Sequence, residues 1–176
     1  MIKSLLSPVF YQSNIDFHAI LQRELSRPGI VAVSEPVRPL YPLEKMIEQG
    51  TPGREYTLDQ VKAELSRPYH DPNKISLVLV QDELVTRGKV VKFALSNFSS
   101  EQLKELGGVF ENYHWNVIAF QLGMINLNLR YANKLLEKKT NEMEKLVVVL
   151  KHLEPKYDEL MSFAFELHEL ARSRGM

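Results

Sequence analysis

The sequence predicts an α+β fold, with a mixed N-terminal half followed by long C-terminal helices. Three observations carry that reading. Over residues 99–175, apolar residues recur at alternating steps of three and four, the spacing of helix seams. Residues 75–80 and 90–95 are short runs rich in β-branched side chains, separated by a polar connection holding Asp82, Glu83, Arg87 and Gly88. Residues 14–68 carry amphipathic helix patterns cut by Pro and Gly.

The elements follow in order. Residues 15–27 read as a helix, with Ser13 or Asn14 able to cap it; Phe17, Ile20, Leu21 and Leu25 form one face, and Pro28-Gly29 stops it. Residues 29–33 are a short β-type run, and residues 34–41, with Pro36 and Pro39, an extended loop. Pro42 suits the first turn of a short helix ending at Gly50. After a turn at Pro52-Gly53, Thr57 opens a helix over 57–67. Thr57 and Gln60 have the spacing of a capping box, Leu58, Val61 and Leu65 share a face, and Pro68 follows the end. Two strands are then expected at 75–80 and 90–95. Ser99 and Gln102 form a second capping box. The pentapeptide Glu-Leu-Ser-Arg-Pro occurs at 24–28 and 64–68; both copies end helices, and their flanks do not match.

Two stripes run along the C-terminal half. The first is Leu103, Leu106, Phe110, Tyr113, Val117, Phe120, Met124, Leu127 and Tyr131. The second is Trp115, Ile118, Leu122, Ile125, Leu129, Ala132 and Leu136. One stripe marks a surface helix, and two on opposite faces mark a helix covered on both sides. The second stripe resumes in register from Met143 to Leu167. A turn near 138–141, giving two antiparallel helices with a kink or break at Pro155, is the first reading. A single helix over 109–153 is the alternative. Either way, residues 99–176 form a helical hairpin or coiled-coil association region, with Leu103, Phe110, Val117, Met124, Trp115, Leu122 and Leu129 as interface residues. Trp115 is expected to be buried against other helices.

Composition narrows the function. The 176 residues hold 22 basic and 22 acidic side chains and no cysteine. Residues 1–98 carry 12 basic and 11 acidic (+1), and residues 99–176 carry 10 and 11 (−1), so neither half hides a field. A polyanion coat is usually strongly basic. Without cysteine there is no disulfide framework, thiol catalysis or cysteine-ligated zinc. Residues 1–10 do not form a signal peptide, and a cytoplasmic location is expected. Residues 112–129 lack Asp, Glu, Lys and Arg but hold six polar amide or imidazole side chains, which suits a bundle interior better than a membrane.

No phosphate loop, dinucleotide fingerprint or nucleophile elbow is present. Glu111 and His114 make one Glu-x-x-His pair, whereas carboxylate-bridged metal bundles need two such pairs and further glutamates. The sequence therefore predicts no metal, no cofactor and no enzyme. Asn112, Asn116, Ala119, Gly123, Asn126 and Asn133 share a strip of the long helix, as close packing with register-fixing amides requires; a polar ligand pocket is the alternative.

The order over 14–95 is helix, short strand, helix, helix, strand, polar loop, strand. That order, running through residues 90–103 into long helices, resembles winged-helix regulators of the PadR and MarR type. The resemblance implies a winged-helix domain over 1–98 and a dimerising region over 99–176. It implies a reading helix at 57–67, whose N-terminal part enters the major groove, and a wing at 81–89. Arg54, Lys62, Arg67, Arg87, Lys89 and Lys92 would then be the nucleic-acid contacts, mostly to phosphates. The expected function is a small homodimeric DNA-binding transcription regulator, with double-stranded DNA and a second copy as partners. The alternative is a non-enzymatic assembly subunit of a larger complex, holding its partners through the helical region.

Overall fold

The computed structural model describes residues 17–26, 57–67 and 77–176. Six helices occur among these residues: α1 (Phe17–Ser26), α2 (Leu58–Ser66), α3 (Leu77–Asn97), α4 (Ser100–Glu105), α5 (Gly107–Glu137) and α6 (Thr140–Ser173). The described residues are 92% helical and contain no strand. The α+β expectation is therefore corrected to an all-α fold. The expected short strand at 29–33 and helix at 42–50 lie outside the described residues.

The correction centres on α3. The two runs expected as strands, and the polar connection expected as a wing, are one helix of 21 residues. Fourteen of those residues are buried, on every side of the helix. It packs most extensively against α6, and also against α5, α2 and α1. The runs toward its two ends are apolar and mostly buried, and a short apolar run cannot be told from a buried strand by periodicity; the polar residues between them, Gln81, Glu83 and Arg87, are buried as well.

Polar side chains inside the packing fix the position of α3. The Glu24 carboxylate, on α1 and 4% exposed, accepts the Leu77 backbone N–H at 2.9 Å. It thus satisfies a donor at the α3 N-terminus, where a negative charge complements the helix dipole. Gln81 is fully buried and donates its amide to the Leu153 carbonyl of α6 at 3.2 Å. Arg87 pairs with Glu83 at 3.5 Å and donates to the Leu65 carbonyl in the last turn of α2 at 3.4 Å. A guanidinium there complements the negative end of α2. Gly88 marks a close crossing rather than a turn, because a Cβ at this position would run into the Phe163 ring of α6 and the Tyr113 hydroxyl of α5.

Local sequence signals set the helix ends. Thr57 Oγ1 accepts from the Gln60 N–H at 3.2 Å, and Gln60 Oε1 accepts from the Thr57 N–H at 3.0 Å. Ser99 and Gln102 close the same reciprocal box on α4. The stretch after α4 breaks at Leu106, directly before Gly107-Gly108. The hairpin turn lies at 138–139. Lys138 adopts φ 57° there, and the Lys139 N–H bonds the Lys134 carbonyl while the Lys138 N–H bonds that of Leu135. This is the Schellman pattern with lysine at the left-handed position. Lys134 ties the turn together, reaching Glu142 at 2.9 Å and Glu137 at 3.4 Å. α6 then runs through Pro155 without a break, so the hairpin turn is the only interruption after α5 begins.

Candidate functional site

Of the cations expected to line a nucleic-acid face, the structure describes five, and one of them, Arg87, is buried. Arg54 lies outside the described residues. Arg87 is 4% exposed and is part of the α3 interior. Arg67 pairs with Glu64 at 3.1 Å and Lys92 with Glu166 at 2.6 Å. Lys62 and Lys89 are exposed, one on α2 and the other on α3. The wing that was to carry Arg87 and Lys89 does not exist, and the winged-helix arrangement is withdrawn with it.

The two stripes of α5 have different fates. Leu103, Leu106, Tyr113, Val117, Phe120, Met124 and Leu127 are buried in the chain's own core, and Phe110 packs against it. Phe120 contacts Phe17 of α1 edge-on, ring centroids 5.5 Å apart. The second stripe faces outward. Trp115, Ile118 and Leu122 are half-buried, and exposure then rises to 49% at Ile125, 52% at Leu129 and 82% at Leu136. Its steps of 3, 4, 3, 4, 3 and 4 put Trp115, Leu122, Leu129 and Leu136 at heptad position a, and Ile118, Ile125 and Ala132 at d. At 1.5 Å per residue this seam is about 30 Å long. The flanking e and g positions are His114, Ala119, Gln121, Asn126, Asn128, Asn133 and Leu135, with no Asp, Glu, Lys or Arg among them. Of the amide strip, Asn116 is fully buried and donates to Asn112 at 3.2 Å.

A second feature lies where α3, α5 and α6 meet. A cavity of about 290 Å³ is walled by Val91 and Leu95 of α3, Phe110 and Val117 of α5, and Ala164 and Leu167 of α6. Glu111, His114 and His168 line it and are exposed, which places them at its rim. The His114 and His168 rings stack across the α5–α6 junction, centroids 6.4 Å apart. Burial, and next the neighbouring His168, hold the His114 imidazole below its ordinary pKa, with Glu111 acting the other way. Trp115 contacts the His114 ring at 6.0 Å and donates to Glu111 at 3.5 Å. Sequence reasoning set Glu111 and His114 aside as half of a metal motif. His168 is 54 positions from His114, so only the hairpin brings the two rings together. No metal-binding group of three or more His, Cys, Asp or Glu forms among the described residues. No described helix is long and apolar enough to cross a membrane.

Comparison with protein-family models, with curated proteins and with solved structures finds no match for this chain.

Proposed function

We propose that this chain is a non-catalytic assembly subunit that associates with copies of itself through the outer seam of α5. The observation that carries the reading is the exposed heptad stripe from Ile125 to Leu136, left over after the core is filled. An apolar row of this length on one helix is the signature of an interaction surface rather than of scattered surface apolar residues.

The flanks favour a second copy as the occupant. Coiled-coil partners of a different kind are selected by charges at e and g. Here those positions hold amides, alanine, leucine and one imidazole, so nothing selects a charged partner. Identical copies meet without like-charge repulsion along the seam, and their amides can bond their own kind. A single-helix seam of this length buries on the order of 1,000 Å² in total, at the lower end for specific association, so the assembly is reversible.

Sedimentation of the full chain across a micromolar range tests the reading. The expected result is a concentration-dependent rise in mass that Leu129→Glu together with Leu136→Glu abolishes. Both sites are already solvent-exposed, so the variant should keep the parent's helical signal and melting. A parent that stays monomeric overturns the proposal, as does a double variant that associates as the parent does.

A further inference from the structure

The cavity between α3, α5 and α6 is half-open and mostly apolar, with its titratable groups at the rim. Its walls are apolar, contributed by side chains such as Leu95, Val117 and Leu167. A protein cavity of about 150 Å³ is enough for benzene; at about 290 Å³ this one has room for an aromatic or branched alkyl body with a short side arm. Among the described lining residues, Glu111 is the one acidic side chain, and there is no lysine or arginine. The groups facing His114 are Glu111 on its own helix and His168 across from it on α6; Val91 and Leu95, on the α3 side, are uncharged. The rim therefore favours a cation over an anion at neutral pH. Phe110 and Tyr113 belong to the same lining.

We propose that this cavity binds a primary amine with a compact apolar body, its ammonium held at the rim by the Glu111 carboxylate and by a ring nitrogen of His114. Binding is then proton-linked. Protonating His114 removes an acceptor and places positive charge beside the ammonium, so acidification expels the ligand. The site does not depend on self-association, because all of its walls come from one chain.

Calorimetric titration of the full chain with three phenyl probes carrying three-carbon arms tests this: 3-phenylpropan-1-amine, 3-phenylpropionate and 3-phenylpropan-1-ol. At about pH 7.5 the amine should bind about tenfold or more tighter than the acid or the alcohol, and lose about tenfold on moving to about pH 5.5. Glu111→Gln should bring the amine down to the level of the alcohol. Ala164→Leu, which fills the cavity, should abolish binding of all three; matching thermal melts show that both variants are folded. The proposal is overturned if the acid binds as well as the amine, if none of the probes binds up to millimolar concentration, or if Glu111→Gln keeps the preference for the amine.

Discussion

Arg87 shows how far one residue's role depends on its surroundings. Beside Gly88 in a polar stretch it has the sequence signature of an exposed turn cation. In the fold it is buried, paired with Glu83 and bonded to the end of α2. Removing one partner of a buried pair strands the other charge, which costs about 3–5 kcal/mol. Arg87→Ala should therefore lower the melting temperature sharply, and unfolding in urea should show a stability loss of that size; a variant as stable as the parent would place Arg87 at the surface after all. His114 makes the second prediction at this scale. Its pKa in the folded chain lies below the ordinary 6.5, so the unfolded chain binds the extra proton first. Stability contributed by the neutral ring is complete above about pH 6.5 and declines as pH falls from there toward the folded-state pKa. Thermal melts in that window should fall more steeply for the parent than for His114→Asn. Equal slopes would show that burial and His168 do not act on this ring.

At the scale of elements, legibility followed how local the determining physics is. The capping boxes at Thr57/Gln60 and Ser99/Gln102 are contained within four residues, and both close as their spacing implies. The hairpin turn was readable because residues 138–141 interrupt the apolar pattern; the period marked the first stripe as a packing face, but Leu103, Phe110, Val117 and Met124, expected to meet a second copy, pack into the chain's own core. α3 was misread because its burial is global. Val78, Val80, Val90 and Val91 are buried on a helix that packs against α6, α5 and α2, and no window of sequence contains those neighbours. Pro155 was overweighted as a breaker, since α6 keeps its path through it. The Glu24 cap on Leu77 and the His114–His168 stack join residues 53 and 54 positions apart, beyond any motif. The turn also supplies a test. A left-handed φ at a residue bearing a Cβ costs roughly 1–2 kcal/mol, a penalty glycine does not carry. Lys138→Gly should raise the melting temperature by a few degrees. A lower melting temperature would mean that the lysine side chain contributes more than the backbone strain removes.

For the whole molecule, the central fact is an imbalance between the two faces of α5. One face is spent on the core shared with α1, α3 and α6; the other leaves Ile125, Leu129 and Leu136 in water at 49%, 52% and 82% exposure. A chain with equal numbers of basic and acidic residues has no net charge to keep such copies apart. Self-association buries the seam without moving any helix of the core. Because the chain has no cysteine, each single substitution to cysteine creates a unique cross-linking probe. The most direct measurement is oxidation of six full-length variants, Ile118→Cys, Leu122→Cys, Ile125→Cys, Leu129→Cys, Ala132→Cys and Leu136→Cys, beside Glu144→Cys and Lys151→Cys on exposed positions of α6. The account predicts rapid disulfide-linked dimers from seam positions, all of them if the helices run parallel and those nearest the two-fold axis if antiparallel, with slow linkage at the α6 controls. Seam variants that link no faster than the α6 controls would contradict it.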